Sequence, residues 1–240
     1  MTTLVLTAHG SADPRSEANA WSVAERVSAL RSDLDVRVAF LERNSPPLGS
    51  VLADVDGPAV VTPLLLAGGH HARVDIPRQI DAAVPDGSTH RVLLARVLGE
   101  DERLIEVLRD RLRDIGIDHT QDEVGVVVVA AGTSDPAVNA RTARVAPRLL
   151  AGTCWTGATT AFATGHDRPP VEAIGRLRRQ GARRIVIAPW FLAPGKICDR
   201  VHRLAAASGI DMAEPLGPHA LVAQTVLDRF DAAISARLAA

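Results

Sequence analysis

The chain has 240 residues, 47% hydrophobic and 23% charged, which allows one large or two small globular domains. A formal net charge of −1 excludes nonspecific binding to nucleic acid or anionic membranes, which needs a basic surface. Aromatic content of 3% with no Tyr makes a core of Ala, Val, Leu and Ile and denies aromatic stacking a major binding role.

Met1-Thr-Thr-Leu-Val enters a strand directly, without the charged and apolar regions of a signal peptide, and no run is long enough to span a bilayer. The first strand, Leu4 to Ala8, ends at His9-Gly10-Ser11. Ser11 to Arg15 turn into a helix whose Ala20, Val23, Ala24, Val27 and Leu30 share one face. Val36 to Leu41 form the second strand, ending at Glu42, and Pro46-Pro47 start a short helix. Ala59 to Leu66 is an apolar run suited to a central strand buried on both faces. Gly68-Gly69 break it, His70-His71 follow, and Asp75-Ile76-Pro77 open a helix with an acidic N-cap. Arg91 to Arg96 make a fourth strand, followed by a helix with Leu104, Leu108, Leu112 and Ile115 along one stripe.

After Asp118-His-Thr-Gln-Asp-Glu123 the order restarts with Gly125 to Ala130. Ala8-His9-Gly10-Ser11-Ala12-Asp13-Pro14 matches Ala130-Ala131-Gly132-Thr133-Ser134-Asp135-Pro136, an offset of 122 from position 9 to position 131. Phe40 lands on Phe162 and Pro47 on Pro169 at the same offset, and Pro63-Leu-Leu-Leu-Ala-Gly-Gly is echoed by Pro189-Trp-Phe-Leu-Ala-Pro-Gly195. Trp190 and Phe191 read as core. Alternating strands and helices, repeated, predict two tandem doubly wound parallel-sheet α/β domains of flavodoxin-like topology, residues 1–118 and 122–240, related by duplication. Because the duplication supplies both lobes, a monomer is expected.

The first three strands each end in a potential metal ligand: His9, Glu42, and the His70-His71 pair. Adjacent parallel strands lie about 5 Å apart, so these ends can converge on one ion at the sheet edge where ligands bind. Two imidazoles and a carboxylate suit Fe²⁺, Co²⁺, Ni²⁺ or Zn²⁺. In the repeat His9 becomes Ala131, Glu42 becomes Thr164 and His70-His71 become Lys196-Ile197, while Gly10/Gly132, Asp13/Asp135, Pro14/Pro136 and Gly69/Gly195 persist. Joint loss is what a shared site predicts; independent structural histidines have no reason to vanish as a set.

His9-Gly10-Ser11-Ala12-Asp13-Pro14, Phe40-Leu41-Glu42 and Gly69-His70-His71-Ala72-Arg73-Val74-Asp75-Ile76-Pro77 together resemble the class II chelatases, in their long two-domain form. The resemblance implies a cytoplasmic lyase that inserts Fe²⁺ or Co²⁺ into sirohydrochlorin for siroheme or cobalamin. It implies no tightly bound cofactor, the metal being a substrate. It also implies metal binding by His9, Glu42 and His71 in a cleft between the domains. The family spacing places the catalytic His four residues before the Asp, selecting His71 and leaving His70 as the alternate.

Sirohydrochlorin carries a rim of carboxylates, for which Arg15, Arg43, Arg73 and Lys196 are candidate partners. Ser11 and the amides beside it are a further candidate, at the first helix's N-terminus, with an N-cap role as the alternative. His90, His119 and His219 read as solvated and His166 and His202 as surface residues. Cys154 and Cys198, too few for a disulfide framework or zinc knuckle, read as buried small hydrophobes in a reducing compartment. A histidine phosphatase is a rival reading, but such enzymes place an Arg directly before the His, where Ala8 stands here. A noncatalytic metal- or tetrapyrrole-binding protein is the other.

Overall fold

The computed structural model describes residues 2–69, 71–83, 92–164 and 168–239, with His71 described in its backbone alone. It contains two compact units. The first holds residues 1–99 and 218–240, with strands β1 (Thr3–Ala8), β2 (Asp35–Phe40), β3 (Ala59–Pro63) and β4 (Val92–Leu94). All pair in parallel in the order β2-β1-β3-β4. Successive side chains of a strand face opposite sides. Val5 and Val61 thus pack with Leu48, Val51 and Leu52 of helix α2 (Leu48–Ala53) and Ile76 and Ile80 of α3 (Ile76–Ala83). Helices α1 (Pro14–Leu30) and α9 (Ala220–Leu238) pack against each other and also contact the strands.

The second unit, residues 100–217, repeats the plan with β5 (Val124–Ala130), β6 (Gly157–Phe162), β7 (Arg184–Trp190) and β8 (Asp211–Met212), in the order β6-β5-β7-β8. Val127 and Val129 pack with Ala173, Ile174 and Leu177 of α7 (Pro170–Arg179) and Val201 and Ala205 of α8 (Lys196–Ala207). Trp190 is buried, as expected, and Phe191 packs against this core. Where the first unit has the continuous α1, the second has α5 (Pro136–Thr142) and α6 (Val145–Leu150). Pro147 has no N–H to donate to the Ala143 carbonyl, which instead accepts from the Thr160 hydroxyl at 3.3 Å.

The sequence repeat and the packing units do not coincide. Helix α4 (Glu102–Asp114) follows β4 in the chain yet packs on α6 and β7 in the second unit, while α9 closes the first. Helical periodicity identifies an apolar stripe but not the sheet it covers, so the expected halves 1–118 and 122–240 differ from the two packing units. Each exchanged helix is fastened in the same way. Arg111 of α4 donates from Nε to the Pro215 carbonyl and from Nη2 to that of Leu216, both at 3.0 Å. Arg229 of α9 donates to the carbonyls of Val97 at 3.1 Å and Leu98 at 2.6 Å. On α4 the buried stripe is Leu104, Leu108 and Leu112, with Ile117 rather than Ile115 completing it.

Two other expectations are corrected. The helix after the third strand begins not at an Asp75 N-cap but with a π-helical turn over His71–Asp75, entered through the Arg73 amide on the Gly69 carbonyl at 3.2 Å. Cys154 is exposed, in the loop before β6, where its amide donates to the His119 carbonyl at 2.7 Å; Cys198 is buried as expected. Among the described residues no helix is long and apolar enough to cross a membrane.

The helix exchange yields a test. Phe230 on α9 is 1% exposed. Phe230→Ala is expected to cost about 3–5 kcal/mol in denaturant unfolding. Hydrogen exchange is expected to accelerate in β1 and β3, 100 or more residues away in sequence, while β5 and β7 keep their protection.

Candidate functional site

The site grows from the carboxyl ends of β1 and β2. Their ladder pairs Ala8 with Phe40. It continues past the strands through the Leu41 amide on the Ala8 carbonyl at 3.0 Å and the Glu42 amide on the His9 carbonyl at 3.1 Å. This sets the two side chains beside one another: His9 Nδ1 lies 3.6 Å from Glu42 Oε1. Nδ1 is covered from solvent, although the His9 side chain as a whole is 40% exposed and that of Glu42 45%. A separation of 3.6 Å is too long for a hydrogen bond but within reach of two donors on one ion lying about 2.1 Å from each.

Two features hold this approach. Gly10 has φ 95°, and a Cβ built there would lie 1.8 Å from the Glu42 carbonyl oxygen, so only glycine lets the two loops touch. Asn44 bridges them: its Oδ1 accepts from the Ser11 amide and its Nδ2 donates to Glu17 Oε2, both at 2.7 Å, while its own amide donates to the Glu42 carbonyl at 2.8 Å. Gln79 of α3 adds a bond from Nε2 to the Leu41 carbonyl at 3.0 Å. Asn44, Glu17 and Gln79 were not anticipated from the sequence. The one available signal was the position of Asn44 directly after the Glu42-Arg43 pair.

The N-cap of α1 is Asp13, not Ser11. Asp13 Oδ1 accepts from the Arg15 amide at 3.0 Å, and Ser11 Oγ accepts from the Asp13 amide at 3.0 Å. The Ser11, Asp13 and Arg15 amides are thus committed to protein acceptors. Arg15 pairs with Asp13 through Nη2 at 2.6 Å. Arg43, held at φ 65°, donates from Nε to Glu42 Oε1 at 3.0 Å, so this oxygen faces a guanidinium and an imidazole together. Arg73 is exposed in the π-helical turn, and Lys196 is exposed at the start of α8 in the second unit.

Among the described residues no group of three or more His, Cys, Asp or Glu side chains gathers. His70, His90 and His166 lie outside the described residues, as does the side chain of His71. His71 itself starts the π-helical turn after β3, the strand that flanks β1 on the side opposite β2. His202 is exposed on α8 and His119 is exposed beside Asp118. His219, expected to be solvated, caps α9 by accepting from the Leu221 amide at 3.2 Å.

A cavity of about 500 Å³ lies in the second unit, lined in part by Glu106, Arg109, Arg113, Asp118, His119 and Trp155. Its cations are already engaged: Arg109 with Glu106 and the Arg148 carbonyl, both at 2.9 Å, and Arg113 with Glu106 at 3.1 Å. Its arginines are thus committed to protein acceptors.

Two four-stranded parallel sheets in tandem, with an imidazole and a carboxylate at the strand ends of the first, define a chelatase-like α/β protein. The CbiX family model matches residues 3–115 and 125–233, and the chain belongs to that family of sirohydrochlorin chelatases. A sirohydrochlorin cobaltochelatase of Priestia megaterium is 27% identical over 215 residues, covering 85% of this chain and 68% of that protein. A sirohydrochlorin ferrochelatase of the same organism is 26% identical over 208 residues, covering 84% and 77%. The structure of SirB from Bacillus subtilis with Fe³⁺ superposes with a TM-score of 0.82 at 23% identity, covering 96% of this chain and 94% of that one.

The glycine contact gives the site's own test. In the second unit a Cβ at Gly132 would meet the Thr164 carbonyl at 3.0 Å, far less severely. Both glycines have positive φ, which costs a substituted Ala about 1–2 kcal/mol in either unit. Gly10→Ala is expected to cost clearly more than Gly132→Ala in denaturant unfolding, because only the first also drives two backbones apart.

Proposed function

We propose that the protein inserts a divalent metal, Fe²⁺ or Co²⁺, into sirohydrochlorin, for siroheme or cobalamin. The observation that carries this reading is an imidazole and a carboxylate 3.6 Å apart, each partly open to solvent, at adjacent strand ends of the repeat that keeps its ligands. His71 completes the set, with His70 as alternate. The ion is a substrate: it must shed water, meet one face of the ring, and replace two pyrrole protons as it bonds to the ring nitrogens. Neutral imidazoles and one carboxylate form an open shell that can pass the ion on, whereas a closed four-ligand site would retain it. His9 and Glu42 are also the groups placed to accept the departing protons.

The exposed cations serve the carboxylate rim. Arg15 and Arg43 must each leave a protein carboxylate to do so, which is a small cost, since exposed pairs are worth about 0–1 kcal/mol. For Arg43 the exchange is coupled to chemistry: a substrate carboxylate that takes its guanidinium leaves Glu42 Oε1 to the ion. Arg73 and Lys196 complete the candidate set, and Ser11 contributes its hydroxyl, its amide being held by Asn44. The second repeat supplies no metal ligand, so one ion binds per chain. This donor set accepts both Fe²⁺ and Co²⁺, so geometry and supply sort out the preference between them.

Anaerobic mixing of the purified protein with sirohydrochlorin and Co²⁺ or Fe²⁺, followed by absorption spectroscopy, tests the reading. A catalysed spectral shift is expected. Binding of either component without acceleration would return the noncatalytic alternative. His9→Ala, Glu42→Ala and His71→Ala are each expected to slow insertion by roughly 100-fold or more with little change in Tm. His70→Ala is expected to retain most activity, and near-normal turnover by His9→Ala would refute the shared site.

A further inference from the structure

The turn after the first strand of each unit is built alike. Ser11 Oγ accepts from the Asp13 amide at 3.0 Å, and Thr133 Oγ1 accepts from the Asp135 amide at 3.1 Å. Asp13 and Asp135 then cap α1 and α5. The two turns differ in how the amide of Ser11 or Thr133 is satisfied. In the second unit Asn139 does this locally: its Oδ1 accepts from the Thr133 amide at 3.0 Å and its Nδ2 donates to the Thr133 carbonyl at 2.8 Å. Asn139 stands at the repeat position of Glu17, at the same offset of 122 that relates Ser11 to Thr133. In the first unit Glu17 does not reach the Ser11 amide. It accepts from Asn44 Nδ2 at 2.7 Å, and Asn44 Oδ1 takes the Ser11 amide from across the β1–β2 junction.

In the second unit this turn is therefore closed by a single side chain on the following helix. Only in the ligand-bearing repeat is the closure routed through the loop that carries Glu42. That route fixes the loop at two points, since the Asn44 amide also holds the Glu42 carbonyl at 2.8 Å. It also holds Arg43 in the left-handed region at φ 65°, a conformation that costs a non-glycine residue about 1–3 kcal/mol and persists only where its surroundings enforce it. We infer that Asn44, oriented by Glu17, is a positioning residue that locks the Glu42 loop to the His9 turn and so sets the separation of the two ligands. The inference rests on the reading of His9 and Glu42 as metal ligands. Supporting groups of this kind orient the donors they touch, and their loss costs about 10–100-fold in metal affinity or activity.

Four variants of the full chain test it, read by Tm, by Co²⁺ titration with the visible d–d spectrum as signature, and by insertion rate. Asn44→Ala is expected to lose about tenfold or more in Co²⁺ affinity, with an altered spectrum. Glu17→Gln keeps an acceptor for Asn44 Nδ2 and is expected to behave as native. The double variant Glu17→Asn with Asn44→Ala transplants the second unit's local closure. It is expected to regain native Tm and slow exchange of the Ser11 amide, while keeping the defects in Co²⁺ affinity and insertion. Recovery of Co²⁺ affinity together with Tm in the double variant would show that Asn44 serves only the turn, and native affinity in Asn44→Ala would also overturn the inference. If His9→Ala leaves Co²⁺ binding unchanged, the metal reading itself fails. That result is distinct from failure of the positioning role, in which His9→Ala loses Co²⁺ and Asn44→Ala does not.

Discussion

The structure depends on one close approach. Parallel pairing brings the ends of β1 and β2 side by side, and two further amide–carbonyl bonds carry the ladder into the loops, so the residues after Ala8 and Leu41 have no freedom to drift apart. Gly10 makes this possible, because any side chain there would occupy the position of the Glu42 carbonyl. The second unit repeats the pattern through Ala163 on Ala130 and Thr164 on Ala131, both at 2.8 Å. The approach is thus a property of the fold, and the two units differ in the side chains that stand on it.

The strands, the duplication and the His9–Glu42 pair were legible because each leaves a local mark: a buried apolar run, a recurring Ala-Gly-Asp-Pro frame, a polar residue at a strand's end. The exchange of α4 and α9 left none, since the Leu104, Leu108 and Leu112 stripe is equally suited to either sheet. The π-helical turn over His71–Asp75 was hidden by Asp75-Ile76-Pro77, which imitates a helix start although the helical turn has already begun five residues earlier. Cys154 was misread because burial of a small residue in a loop depends on where the backbone is pinned. The Asn44 bridge, spanning 33 residues to Ser11, is a side-chain contact that no periodicity encodes.

The helix exchange changes what the duplication means physically. A repeat that ends in its own fourth-strand helix would be a self-sufficient domain, yet here each sheet is completed by the helix that follows the other's last strand. Arg111 and Arg229 show that the arrangement is specified, because each fork closes on the two carbonyls after the fourth strand of the unit it joins, at an offset of 118 in all three positions. A bidentate guanidinium on two backbone carbonyls satisfies acceptors that a docked helix would otherwise bury unpaired.

The two repeats together separate what the fold requires from what the site requires. Glycine, aspartate and proline at the helix start are common to both and answer to backbone conformation and capping. His9 against Ala131, Glu42 against Thr164, and Glu17 with Asn44 against Asn139 are differences, and in the first unit they fall on the turn after β1, the loop after β2 and the first turn of α1. At Thr164 the hydroxyl donates to the Ala131 carbonyl at 2.8 Å, so the side chain reinforces the junction it sits on. The Glu42 carboxylate can only accept, and it faces His9 and Arg43 instead. In the second unit the Thr164 side chain thus turns inward, onto its own backbone. The first unit holds the same junction through Asn44 and leaves the Glu42 carboxylate partly open to solvent. That difference is why Glu17 and Asn44, and not only His9 and Glu42, set the first unit apart from the second.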